Sequence, residues 1–292
     1  MRLLVKFSAI FTLVFGIGVA IIGGLTYKML QDGARQQVLG QAQLMMQAMM
    51  SVRTYTSKQL LPLLEPLEAR NSVFLPQTVP GYAATENFTY LRAQFPEYTY
   101  KEATLNPTNL RDRAVEWEAD IVNAFRNDPN LKTFNGERLA ATGPSLFFAQ
   151  PIRAKADCLH CHSTPDQAPP AMIARYGPAN GFGWKENEVI GAQVISLPLS
   201  VPLEIARSEF RTLLIYLGVI FLASLAVLNL ALYVTIAKPA ARLSDMANRI
   251  SLGELDVPEL PVKGNDEITD LAEAFNRMRR SLVTAMKMIG DQ

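Results

Sequence analysis

The chain has 292 residues and a net charge of +1, with no long basic run, so its composition gives no support to a nucleic-acid surface. Charged residues make up only 19% and apolar residues 49% of it, and its mean hydropathy is slightly positive. That balance excludes an ordinary water-soluble chain throughout and places part of the sequence in lipid.

From Phe7 to Tyr27 no residue is charged, a run long enough to cross about 30 Å of hydrocarbon as a helix. Arg2 and Lys6 give it the positive start of a signal peptide. Its apolar part is longer than a signal core and no A-x-A-like cleavage site follows, so a retained anchor over residues 1–30 is expected. Gly16, Ala20 and Gly24 share one face, a spacing that lets membrane helices approach closely. Beyond the span, Val38, Ala42, Met45, Met49 and Val52 recur at three and four, predicting an amphipathic helix that Pro62 and Pro66 should end. Met45, Met46, Met49 and Met50 put four thioethers on two turns. Such a stripe is ordinary core filling, but thioether is also a common second ligand of His-bound haem iron, which makes Met49 and Met50 candidates for that role.

Residues 71–110 read as loop, with a strand over Tyr98 to Leu105. A helix is expected from Arg111, since Ala114, Trp117, Ile121 and Phe125 fall on one face and Asp128-Pro129-Asn130 closes it. Ser145 to Ile152 is a second strand.

The next stretch, Cys158-Leu159-His160-Cys161-His162, holds every cysteine and histidine in the protein. C-x-x-C-H is the pattern for covalent c-type haem: two thiols add to the porphyrin vinyl groups and the last residue offers its imidazole to the iron. A zinc knuckle would need a second pair of ligands that the sequence lacks. A disulfide between Cys158 and Cys161 is compatible with a non-cytosolic site but leaves His162 unexplained. A thioredoxin-like centre fits poorly with Pro165, Pro169 and Pro170 close behind. The cofactor expected is one haem c, on Cys158, Cys161 and His162.

A brief helix near Ala171 to Tyr176, a glycine-rich turn from Gly177 to Trp184 and a strand from Val189 to Leu199 follow. Short helices mixed with three to five strands define an α+β domain over residues 31–210. A second span occupies residues 211–237, with no charge from Thr212 to Ala237. Two spans place both termini on one side. Arg2, Lys6, Lys238, Arg242 and Arg249 favour the cytoplasm for that side, although Arg35, Arg207 and Arg211 weaken the charge argument. Because c-type haem is attached outside the cytoplasm, the intervening loop is expected in the periplasm of a bacterial inner-membrane protein.

Lys101-Glu102-Ala103-Thr104-Leu105-Asn106-Pro107, the run from Cys158 to Gly177, and Gly181 to Ala192 together resemble the periplasmic c-type haem sensor domains, a family often joined to HAMP segments. The resemblance covers most of residues 40–200 and implies a PAS-like antiparallel sheet with haem bound against it. Some members are thought to use a cysteine as second iron ligand, and this chain has none to spare.

After Pro239, the apolar residues Leu243, Met246 and Ile250 repeat at three and four. Gly253, Pro258, Pro261 and Gly264 then interrupt the chain, before Ile268, Leu271, Phe275, Met278, Leu282, Ala285 and Ile289 resume the heptad. Two amphipathic helices with an extended connector build a parallel four-helix bundle when two subunits meet, whereas a plain coiled coil would not carry the connector. The segment is similar to a HAMP linker over residues 238–292, with Pro239 and Asp266-Glu267-Ile268 as its landmarks. Anchor, haem domain, anchor and HAMP in that order form the layout of a homodimeric transmembrane receptor rather than an enzyme. Its stimulus would be redox state, a diatomic gas or another small ligand, and with no output domain before Gln292 its signalling partner is expected on a separate cytoplasmic chain. A membrane-anchored electron-transfer cytochrome with a periplasmic redox partner is the rival, though it leaves the HAMP-like tail idle.

Overall fold

The computed structural model describes residues 2–254, 256–261 and 264–290, and divides the chain into two units. Residues 27–209 form the first, around an antiparallel sheet of four strands: β1 (Thr99–Thr104), β2 (Phe134–Ala140), β3 (Gly143–Arg153) and β4 (Val189–Pro198), in the order β1-β4-β3-β2. Side chains alternate along a strand, and here both faces are covered. Leu146, Phe148, Ile195, Leu197 and Tyr100 point to one face, where helix α1 (Arg2–Tyr55) lays Val38, Ala42, Met46 and Met49. Helix α3 (Pro80–Gln94) adds Ala84 and Phe88 there, and Leu203 and Ala206 come from the start of α7 (Ser200–Leu232). The residues between them in sequence, Phe147, Ala149, Ala192, Val194 and Ala103, face Ile121, Val122 and Phe125 of α4 (Glu116–Asn127). Two central strands with period-two side chains and a helix layer on each face make the α+β domain the sequence predicts.

Three expectations need correction. The prolines do not end the first helix: a π turn over Thr56–Leu60 intervenes, and α2 (Leu61–Asn71) carries both Pro62 and Pro66. A wider turn before a proline absorbs its missing N–H and the clash of its ring with the preceding carbonyl. The helix stops instead at Ser72, in the left-handed region with φ 51°. Within the expected loop of residues 71–110, Pro80 stands at the first turn of a helix, where a proline starts a helix rather than breaking one. The helix expected from Arg111 begins at Glu116, after a 3₁₀ turn over Leu110–Asp112. The short α6 (Pro170–Tyr176) lies as expected, its Tyr176 ring edge-on to Phe74 with centroids 5.8 Å apart.

The second unit holds residues 1–26 and 210–292. Among the described residues two helices are long and apolar enough to cross a membrane, and none of their most apolar windows is buried, as for side chains that face lipid rather than a protein core. Within this unit Phe15 stacks on Phe221 at 4.5 Å, and the Ser8 hydroxyl donates to Asn229 Oδ1 at 2.8 Å. Another π turn, Tyr233–Ala237, precedes Pro239. Helix α8 (Lys238–Ser251) and α9 (Glu267–Gly290) then pack through Leu243, Met246 and Ala272, with Val257 and Leu260 of the connector buried between them. Asn276 holds that connector by accepting from Leu260 N and donating to Leu260 O, both at 3.0 Å. Asp266 caps α9 by accepting from the Thr269 hydroxyl at 2.6 Å and from Thr269 N at 2.8 Å; the hydroxyl first and then the N–H lower its carboxyl below the usual range. Of the predicted heptad, Phe275 turns into this packing while Leu271, Met278 and Leu282 stay exposed, and the side chain of Ile289 lies outside the described residues.

Candidate functional site

Cys158, His160, Cys161 and His162 all lie on a two-turn helix, α5 (Ala156–His162). Its start is marked by the Lys155 N–H donating to Cys158 Sγ at 3.4 Å. Residues three and four apart share a helix face, so Cys158, Cys161 and His162 project toward one side. Both cysteines are free thiols, half-buried. The carboxylates of α2 flank the second thiol: burial, then Glu68, Cys158 and Glu65, push Cys161 above its ordinary pKa.

The two histidines, two residues apart, have different surroundings. His160 is exposed. His162 stacks its ring on Trp184 at 3.9 Å and 14°, and its Nδ1–H donates to the Gly181 carbonyl at 2.7 Å. Engaging Nδ1 this way fixes the tautomer, leaving Nε2 with a free lone pair. Burial lowers the His162 pKa, against a smaller opposing effect of the Gly181 bond, so the ring is held neutral as a metal ligand requires.

Gly181 is positioned from a third segment. Its N–H donates to Asn106 Oδ1 at 3.2 Å, and the Asn106 amide donates to the Phe182 carbonyl at 3.4 Å. Thr108 Oγ1 lies 3.4 Å from His162 Nδ1. A Cβ on Gly181 would come within 2.0 Å of that hydroxyl, and the backbone there has φ +84°, so only glycine fits. The three separated sequence stretches that carry the family resemblance therefore converge on one imidazole. Gly181, Trp184, Asn106 and Thr108 were not among the predicted site residues. The signals were present: one of only two tryptophans, with glycines one and three residues before it.

Met46 and Met49 are buried in the core between α1 and the sheet, while Met50 beside them is half-buried outside it. None of the C-x-x-C-H residues belongs to that core. Four residues after Met49, on the same face of α1, Arg53 pairs with Glu102 of β1. Tyr100 also donates to Glu102 Oε1, at 2.7 Å. Burial would lower Arg53, but Glu102 and Tyr100 hold it above its ordinary value, and the Cys158 sulfur lies within electrostatic range of it. A charge on an apolar stripe was the sequence signal for this cluster, because a buried guanidinium requires a partner.

The donor set suits a c-type haem. Two accessible thiols sit on one helix with a neutral imidazole whose second nitrogen is already bonded to a carbonyl. Among the described residues no group of three or more His, Cys, Asp or Glu side chains converges as a cage for a bare ion.

Compared with known proteins, residues 31–198 match the family model described as Tll0287-like, and residues 232–284 match the HAMP domain. Among solved structures the chain is similar to one described as the crystal structure of the cyanobacterial heme-protein Tll0287. The identity is 14% and the TM-score 0.43, over 55% of this chain and 94% of that one. The comparison with curated proteins returns no match.

Proposed function

Since this chain belongs to the Tll0287-like family and carries a HAMP segment, we propose that it is a membrane-bound c-type haem sensor that signals across the inner membrane. The observation that carries the reading is His162, neutral, stacked on Trp184 and bonded through Nδ1 to Gly181, on the helix that presents both thiols. Cys158 and Cys161 attach one haem c and His162 ligates it. A haem held there would supply an iron able to change oxidation state and to bind a small ligand. Gly181 and Trp184 hold the His162 ring in plane and tautomer, and Met49 or Met50 is the second ligand. The proposed fold family of residues 31–210 is PAS-like and its compartment the periplasm, with anchors at 1–30 and 211–237 and HAMP at 238–292 in the cytoplasm.

The stimulus is redox state or a small ligand such as a diatomic gas. Two copies join their HAMP segments through exposed Leu271, Met278 and Leu282, and a cytoplasmic partner on a separate chain reads the change in packing. Coupling of this kind is typically about 1–3 kcal/mol, so a small preference of one iron state is sufficient. The role is signalling rather than turnover.

Expression with the c-type maturation system should give a haem-stained band that survives denaturation; colourless protein would end the haem reading. Cysteines introduced at Phe275 or Leu282 should cross-link to different extents in oxidised and reduced membranes. Identical cross-linking would favour an electron-transfer cytochrome instead.

A further inference from the structure

On the α4 face of the sheet lies a cavity of about 330 Å³ that the haem reading does not use. Phe125 of α4 and Val189 of β4 lie buried beneath it, and the surface it presents is mainly polar. Two guanidiniums rim it, Arg126 from the end of α4 and Arg153 from the end of β3. Backbone carbonyls hold both in place. Arg126 Nε donates to Val189 O at 2.8 Å, and Arg153 donates through its two terminal nitrogens to Pro129 O at 3.0 Å and Asn187 O at 3.5 Å.

The backbone around the cavity departs from regular structure at two points. The register of β3 against β4 shifts between Ile152 and Arg153, and such a bulge re-aims the side chain that follows it. Asn187 adopts φ +65°, an uncommon left-handed conformation for a residue other than glycine. The two irregular segments are tied together: Asn187 N donates to Ala154 O at 2.8 Å and Ala154 N to Glu188 O at 2.9 Å. Among the described residues no carboxylate pairs with Arg153. The carboxylate that pairs with Arg126 among the described residues is Glu188, at 3.5 Å.

We propose that this cavity binds a small organic carboxylate. Arg153 and Arg126 take the carboxylate, and Glu188 is the internal group the ligand displaces from Arg126. Planar guanidiniums favour a carboxylate because the two forks match. At about 330 Å³ the cavity is at the low end for ligand sites, which suits a small ligand. The site is continuous with the haem helix on one side, three residues before Ala156, and with Trp184 on the other through the turn at Asn187. Occupancy therefore acts on the two segments that set His162. This last step, regulation of the haem site, rests on the sensor reading; binding does not.

The test is calorimetric titration of the full-length protein in detergent with acetate, succinate and inorganic phosphate. Acetate or succinate should bind saturably to the wild type. Arg153→Gln should weaken that binding by about tenfold or more, and Glu188→Gln should tighten it by removing the competing carboxylate. The tightening keeps the proposal testable even where Arg153→Gln fails to fold. Absence of saturable binding by either acid, unchanged affinity in a folded Arg153→Gln, weaker binding in Glu188→Gln, or phosphate binding more tightly than both acids would overturn it. Redox-dependent HAMP cross-linking without carboxylate binding would remove this site and leave the sensor standing. Carboxylate binding as expected without any response of the cross-links would support the site and count against the sensor.

Discussion

Lys101 and Glu102 are neighbours on β1, yet they leave the strand on opposite faces and meet different helices. Lys101 donates to Glu118 of α4 and to the Arg113 carbonyl, each at 2.7 Å, while Glu118 also accepts from Val115 N at 2.9 Å. That pair closes the start of α4. Glu102 instead accepts from Arg53 and Tyr100 on the α1 face, with the Arg53 and Glu102 side chains only 22% and 12% exposed. The surroundings leave no slack, since a Cβ on Gly81 would meet Glu102 Oε2 at 2.6 Å. Similar ion pairs thus serve different ends: one caps a helix, and the other joins the sheet to the helix beside the haem motif, where Arg53 feels Cys158.

The largest expected effect tests that difference. Glu102→Ala strands a buried guanidinium and should cost about 3–5 kcal/mol in urea unfolding, with a shift in the haem spectrum or potential. Glu118→Ala frees Lys101, whose side chain is 25% exposed, to reach water. It should cost about 1–2 kcal/mol, close to the loss of a helix cap, with the haem signals unchanged. Equal spectral shifts in the two variants would break the comparison. Gly181→Ala acts closer to His162. Its positive φ and the contact with Thr108 should cost about 1–3 kcal/mol and heterogenise the His162 ligation, seen as broadened low-temperature electron paramagnetic resonance lines.

A pH experiment sharpens the same contrast. Burial raises Asp112 from 3.8 to about 6, aided by the repulsion of Glu102 and only partly offset by the Arg111 charge, which lowers it. A raised folded pKa means that the folded state binds the extra proton, so stability is highest below pH 4 for this group. It falls as the pH rises through about 6. With a side chain 22% exposed, the loss should be about 1–2 kcal/mol. Asp112→Asn should flatten that part of the profile and gain stability at pH 7, read from melts across pH 4 to 8; an unchanged profile would refute the assignment. The smallest effect belongs to the methionines. Met49→Leu and Met50→Leu conserve volume and should each change stability by less than about 1.5 kcal/mol. Loss of a methionine-type haem spectrum in one of them would identify the second ligand; wild-type spectra in both would rule these two out.

The C-x-x-C-H spacing, both long apolar helices and the strands β1, β3 and β4 were legible because each rests on a local pattern: fixed spacing, length or period two. β2 was not, since its sequence Phe134 to Ala140 is half polar and exposed, and only pairing with β3 on the sheet edge makes it a strand. Pro62, Pro66 and Pro80 were misread for a related reason. A proline is compatible with a helix start or a break, and which one results depends on the turn that precedes it and the surface the helix then covers.

What the sequence by itself determined is the chemistry on offer: two thiols and an imidazole within five residues, long apolar runs on either side of an α+β domain, and a broken heptad after the second; that the five residues form one short helix came only from the structure. Only the tertiary structure decided which histidine is held. His160 and His162 are indistinguishable by residue type, and the distinction comes from Asn106, Thr108, Gly181 and Trp184, up to 56 positions away in the chain. Likewise the alternation of Lys101 and Glu102 is written in the strand, but the helices that meet them are not. A strand's period assigns side chains to faces, while the element that covers each face is chosen by long-range packing.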